Sequence, residues 1–234
     1  MFRVYCLSYN NEERRKSMEC RLNTLKLNYF IYEGVSYSDD RIICEKEKRV
    51  WSCMYGHLDM IKMFYDDETT QIGIFCEDDI LIRSNFNENI NNIINDFIVL
   101  ELDVLLLGYL VNFKINKNIN GFKLKSGSDK LTNNKYSYHN FEDYVWGTQM
   151  YMLSKSSAKK LLDKYNHIYA LKTINDKTLT PFSADWTITK DGNRALIYPC
   201  LAVETGVGNY PNDCQHGKFH KWCHEIQYEE NEFI

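Results

Sequence analysis

Short apolar runs alternate with amphipathic, helix-length stretches along this chain, and no other feature restricts its fold as much. Phe2–Ser8, Asn28–Val35, the segment QIGIFCEDDILI at 71–82, Asp103–Leu110 and Trp146–Ser154 each read as a strand. Between the first two lies NNEERRKSMECRLNTL, which puts Met18, Leu22 and Leu25 at helical spacing behind an Asn-rich start suited to capping. An apolar stripe through Trp51, Met54, Tyr55, Leu58 and Ile61 predicts a helix from about Arg49 to Tyr65. Further helices are expected over 87–100 and, capped by Ser154, over 155–165. After these come a short helix at Asp185, a turn at Asp191–Gly192 and a last strand. Strand–helix–strand order suggests a right-handed βαβ unit with parallel pairing at the start of the chain. The expected fold is α/β, a Rossmann-like mixed sheet flanked by helices. No repeat or linker divides the text, so one domain over 1–234 is expected, with a polar excursion at about 112–140 and a polar tail from about 206.

Composition narrows the class. At 44% hydrophobic and 26% charged residues the chain can build a core and is not a disordered segment. A formal net charge of −4 gives no bulk drive toward nucleic acid or an anionic membrane. The opening MFRVYCLSYNNEERR, with its short apolar stretch running into charge, is not expected to act as a secretory signal, and no run is long enough to span a bilayer. The eight cysteines form no C-x-x-C pair. Reduced thiols and a cytoplasmic protein are therefore expected, with a Cys214–Cys223 disulfide as the exception to check.

The chemistry starts at CEDDILI. Three adjacent acids close an apolar strand, and strand alternation puts Glu77 and Asp79 on one face while Asp78 points away. Two carboxylates there would hold a hard divalent cation and a polyphosphate; the competing reading is a solvated acidic turn. Near the end, NDCQHGKFHKWCHE admits a small zinc site from Cys214, His216, His220, Cys223 and His224, although the spacing matches no standard finger, or simply a polar tail.

Six motifs taken in order resemble glycosyltransferase family 25, which includes lipopolysaccharide and collagen hydroxylysine β-galactosyltransferases. They are CLSYNNEERR, the Gly56–His57 step, the Glu77–Asp79 triplet, DVLLLG at 103–108, GTQMY at 147–151 and the AKKLL helix after it. The resemblance implies a single-domain GT-A fold and an inverting, metal-dependent transfer of galactose or glucose from a UDP-sugar to a hydroxyl of a glycan or collagen-like protein. Mn²⁺ would be the usual ion, or Mg²⁺. Carried onto this chain, it makes Asp79 the foremost metal ligand, with Glu77 on the ribose or a metal-bound water and Asp78 a further contact. Leu7, Ser8 and Tyr9 would line the uracil pocket, and Arg14 or Arg15 would meet phosphate. Trp146, Gly147, Thr148 and Gln149 would wall the sugar or acceptor, Gly147 by admitting ligand close to the backbone; Trp146 reads equally as a core aromatic. Asp185 is the first candidate for general base, with Asp143 second and Glu142 third; Asp185 would also serve as the N-cap of its short helix. His216 or His220 would add a metal ligand, Lys218 or Lys221 a contact to diphosphate. His57 reads as a structural histidine. Two other outcomes stay open: a non-catalytic nucleotide-sugar- or glycan-binding relative, and a zinc module centred on the tail.

Overall fold

The computed structural model describes residues 1–119, 121–131, 135–205 and 214–234. Strands β1 (Phe2–Leu7), β2 (Tyr29–Tyr32) and β3 (Ile72–Glu77) run parallel, with β1 between the other two. Helix α1 (Glu12–Thr24) makes the first crossover, and the Asn11 side chain caps it by accepting from the Arg14 amide at 3.0 Å. Helix α2 (Lys48–Asp66) makes the second. The strand expected over 71–82 is two strands: β3 stops at Glu77, and β4 (Ile80–Ile82) turns away. Helix α3 (Phe86–Val99) leads into β5 (Val104–Leu110), and β6 (Ser137–His139) comes out of the polar excursion. Strand β7 (Trp146–Ser154) is followed by α4 (Lys155–Lys164), whose cap is the expected Ser154. Then come α5 (His167–Asn175), α6 (Ala184–Thr187), β8 (Arg194–Tyr198), β9 (Ala202–Glu204) and α7 (Gln215–Gln227).

The sheet is mixed. Its order is β2-β1-β3-β7-β5-β8-β6, with β9 bridging β5 to β4. Strand β7 inserts antiparallel between β3 and β5, so the parallel pairing of the opening unit stops there. The result is the helix-flanked α/β architecture expected of a GT-A fold.

Both faces of the sheet are covered, and for that reason the strands read as nearly continuous apolar text. Alternation sorts them. Val4, Cys6, Ile74, Cys76, Leu105, Leu107, Met150 and Met152 face the core shared with α1 and α3. Tyr5, Leu7, Phe75, Leu106, Tyr151 and Leu153 face the core shared with α2 and α4. On that second face Tyr5, Phe75 and Tyr151 stack across three adjacent strands, with centroid spacings of 5.3 and 5.2 Å. Offset ring pairs of this kind add about 0.5–1.5 kcal/mol each beyond area burial and hold the register of β1, β3 and β7.

Two expectations about polar segments change. The excursion is anchored: Ile115, Phe122, Tyr136 and Tyr138 are buried, and β6 pairs with β8. The tail, where described, is mostly the helix α7, which buries Gly217 and Cys223. Among the described residues no helix is long and apolar enough to cross a membrane.

Candidate active site

Parallel β1 and β3 end level with each other, Leu7 opposite Glu77. Residues just past both ends therefore meet at one edge of the sheet, where α/β folds place their ligands. Antiparallel β7 enters at the same edge, bringing Thr148 and Gln149 beside Glu77, and β9 ends there on Glu204.

Two clefts open at this edge. The larger, of about 740 Å³, is lined by Trp146, Thr148, Gln149, Asp185, Trp186, Glu204, His216 and His220, among others. The smaller, of about 190 Å³, is lined by Leu7, Tyr9, Arg14, Gly34, Val35, Tyr37, Ser52 and Asp78. Arg49, Cys53, Glu77 and Asp79 belong to both and form the wall between them. A third cavity, of about 20 Å³ beside Arg83 and Pro199, has room for little more than a water.

The triplet divides between these spaces. Because β3 stops at Glu77, alternation no longer governs the next two residues, and Asp78 does not point away as expected. It turns into the smaller cleft, where Ser8 Oγ donates to it at 2.6 Å and Arg14 stands at 3.7 Å. Burial raises its pKa, while the Ser8 bond and the Arg14 charge pull the other way. Asp79 is buried; its Oδ2 accepts from Arg14 Nη1 at 3.0 Å and its Oδ1 has no hydrogen-bond partner. Burial first, then the charges of Glu77 and Glu204, push its pKa up to about 7. In the structure, the positive group on the two aspartates of the triplet is thus Arg14.

Glu77 accepts from Thr148 Oγ1 at 2.7 Å and approaches His57 Nε2 at 3.5 Å. Burial would raise its pKa, but the His57 ring, the Thr148 hydroxyl and the Arg49 charge outweigh it, and the net shift is downward. The same Thr148 hydroxyl lies 3.1 Å from Asp185 Oδ1. Asp185 is pushed upward, by burial first and by the Glu77 charge second. One threonine therefore joins a carboxyl held ionised to a carboxyl biased toward its proton, the kind of separation that acid–base sites use.

Several expectations are corrected. Asp185 is not an N-cap: α6 begins at Ala184 with Ser183 in the cap position, so Asp185 sits in the first turn with its carboxyl toward β7. Asp143 lies outside both clefts; its side chain is 72% exposed and pairs with Arg194 at 2.6 Å. Glu142 is exposed as well. Gly147 does not admit a ligand; it is packed against β5, where an added Cβ would meet Leu106 Cδ1 at 3.2 Å and Gly108 O at 3.4 Å. Ser8 acts through its bond to Asp78 rather than lining the cleft. Trp146 does line the larger cleft, edge-on to Trp186 at 4.7 Å. His216 and His220 also line it, but His220 Nδ1 is engaged with Glu204 Oε2 at 2.6 Å, which raises the His220 pKa. His224 Nδ1 contacts the Glu204 carbonyl, and Cys214 and Cys223 are free thiols at opposite parts of α7. Among the described residues the tail thus gathers no zinc site and no disulfide.

Arg49, Cys53 and Glu204 were not singled out from sequence. Arg49 opens α2 and reads as ordinary helix polarity. Glu204 had a signal: it ends the apolar run LAVE as Glu77 ends IGIFCE.

The sequence profile of glycosyltransferase family 25 (LPS biosynthesis protein) matches residues 1–179. The chain belongs to glycosyltransferase family 25. It is thus a glycosyltransferase, an enzyme with a nucleotide-sugar donor and an acceptor. The family match covers β1, the triplet, Thr148 and Gln149, and ends before Asp185, Glu204 and α7. No curated protein matches the chain. Among solved structures it is similar to a mannose-1-phosphate geranyltransferase from Thermus thermophilus (TM-score 0.44, 10% identity, covering 84% of this chain and 73% of that one). It is similar also to a glycosyltransferase involved in glycosylation of the major capsid of PBCV-1 (0.42, 9%, 93% and 98%). A third is HddC from Yersinia pseudotuberculosis (0.41, 13%, 97% and 100%). Likenesses this slight carry no functional assignment.

Proposed function

We propose that this family 25 member is an inverting hexosyltransferase that uses a UDP-sugar, galactose or glucose, and a hydroxyl acceptor on a glycan or protein. The observation that carries this reading is the shared acidic wall: Glu77 and Asp79 line both clefts at once, with Asp185 facing them from the larger. Donor phosphates bridging a nucleoside on one side and a sugar on the other would cross that wall. In this reading the smaller cleft holds the base against Leu7, Tyr9 and Tyr37, with Arg14 and Arg49 near the phosphates. The larger holds the sugar and acceptor between Trp146, Gln149 and Trp186. Trp186, 41% exposed, offers a ring face to a sugar.

Asp185 is the proposed general base. It takes the proton of the acceptor hydroxyl as that oxygen attacks the anomeric carbon, and the C–O bond to the diphosphate breaks on the opposite face. Its raised pKa brings it nearer the operating range of a general base, and Thr148 fixes its orientation. Glu77 stays ionised beside it, and its charge makes the Asp185 carboxylate more basic, so that the proton given up by the acceptor hydroxyl is held there.

The residues fit a divalent cation, Mn²⁺ or Mg²⁺. Asp79 has a buried oxygen without a hydrogen-bond partner and a carboxyl pushed up to about 7, so a cation would relieve both. Asp79 and Glu77 would hold it, with His216 at the edge of the same cleft, and it would supply charge neutralisation for the leaving diphosphate.

The test is a donor screen across common UDP- and GDP-sugars with and without Mn²⁺, reading released nucleotide, alongside calorimetric UDP binding. Mn²⁺-dependent release from UDP-galactose or UDP-glucose is expected. Binding of UDP without release or transfer from any donor would favour a non-catalytic relative and overturn the proposal.

A further inference from the structure

Cys53 and His57 stand one turn apart on α2, and Glu77 ends β3 beside them. A sulfur, an imidazole nitrogen and a carboxylate oxygen, one from each residue, all lie within 4.8 Å of one another. Helical i,i+4 spacing brings the first two onto one face, and the sheet supplies the third. The histidine is the telling member. It is fully buried, at 0% exposure; its Nδ1 is 3.0 Å from Tyr151 Oη, and its Nε2, 3.5 Å from Glu77 Oε1, makes no hydrogen bond. A buried polar atom left in this state calls for a ligand. A partner on Nδ1 that fixes the ring and turns Nε2 toward a cluster is the arrangement found behind metal-binding histidines. Cys53 is half-buried and lines both clefts, so an ion can reach it from solvent.

We propose that Cys53, His57 and Glu77 form a binding site for a thiophilic divalent cation of the zinc class. Sulfur, nitrogen and oxygen from three residues, with one position left toward the cleft, suit zinc or cobalt and disfavour magnesium. Binding forms the metal–sulfur bond and releases the Cys53 thiol proton to solvent. The site shares Glu77 with the oxygen-donor position proposed at Asp79 but adds sulfur and nitrogen, which that position lacks, and it needs nothing from the tail.

Cobalt(II) titration of the whole, chelator-stripped chain reads this site without reference to activity. A stoichiometric sulfur-to-cobalt charge-transfer band in the near ultraviolet is expected, bleached by Zn²⁺ and unmoved by a large excess of Mg²⁺. Cys53→Ser, a near-isosteric change, abolishes the band. Tyr151→Phe keeps the band but weakens cobalt on the order of 10-fold or more through loss of the Nδ1 partner. The double variant Cys214→Ser/Cys223→Ser retains wild-type titration. No band in the wild type, a band that survives Cys53→Ser, or one that disappears with the tail cysteines instead would each overturn the proposal.

Discussion

The two clefts share a wall but differ in how their polar groups are satisfied. In the smaller, Asp78 is closed off by Ser8 at 2.6 Å and backed by Arg14, both reaching it from the β1–α1 junction. On the shared wall Asp79 Oδ1, and in the larger cleft Gln149 Oε1, are buried without hydrogen-bond partners, and Asp185 is held by a 3.1 Å contact to Thr148. Buried polar atoms are normally paired, so the smaller cleft is organised in advance while the larger leaves its pairing to what binds. Under the proposed function this sets preorganised donor binding next to an unsatisfied reacting centre, a distribution that favours the transition state over the ground state. Asp78 and Asp79, adjacent in one triplet, meet different partners because β3 stops at Glu77, just before both.

The strongest way to break this comparison is Asp185→Asn. A base lost from the larger cleft lowers kcat by roughly 10²–10⁴-fold, while UDP binding in the smaller cleft stays within about twofold. Steady-state release paired with calorimetry separates the two, and a parallel loss of UDP affinity would deny the division of labour. Asp79→Asn is next, because it touches the shared wall. It removes metal-dependent UDP binding and lowers turnover on the order of 10²-fold. It also changes stability with pH. Asp79 has a native pKa raised from 3.8 to about 7, so between those values the native state holds a proton that the unfolded chain has released. Stability therefore falls as pH rises through that window, and the loss is complete above it. Asp78 and Asp185 are shifted in the same direction. The melting temperature of the wild type should drop between pH 5 and pH 8, and Asp79→Asn should recover at least roughly 2–4 °C at pH 8. An unchanged pH profile would show that Asp79 is not so placed.

Ser8→Ala tests the smaller cleft. It strips a 2.6 Å donor from the buried Asp78, at a cost of about 1–3 kcal/mol. A lower melting temperature and a higher KM for the donor, with kcat nearly unchanged, is the expected split. A fall in kcat with KM intact would place Asp78 with the reacting centre.

The contrast also explains what was legible in sequence. Strand text is legible because burial on both faces leaves nearly unbroken apolar runs, and β7 was read residue for residue at Trp146–Ser154. Helix ends were legible where a side chain makes the cap, as Asn11 and Ser154 do. The triplet pointed to the sheet edge where the two clefts meet, but the fate of Asp78 did not follow, because a strand's last residue depends on where its neighbours stop. Thr148 was named as a wall, yet its double contact to Glu77 and Asp185 exists only once β7 inserts antiparallel beside β3. Zinc chemistry was sought where Cys and His are dense. In α7 they scatter: His220 and His224 go to Glu204, and Cys214 caps Gly217. The convergent set is sparse in sequence, two residues on α2 and one on β3, and only the packing of helix on sheet assembles it.

Asp143→Asn has the smallest expected effect and sharpens the choice of base. Asp143 precedes β7 by only three residues, so a shift of the loop toward the larger cleft would bring it near Trp146. The structure holds that loop in place by other means. Lys190 donates to the backbone carbonyls of Asp143 and Val145, and its ammonium lies 5.2 Å from the Trp146 ring centre. Those contacts do not use the Asp143 carboxylate, which pairs with Arg194 at the surface. An exposed pair of this kind contributes about 0–1 kcal/mol and less as salt rises. The variant should therefore melt within about 2 °C of wild type and retain its kcat and pH profile, whereas a large fall in kcat would return Asp143 to the reacting centre in place of Asp185.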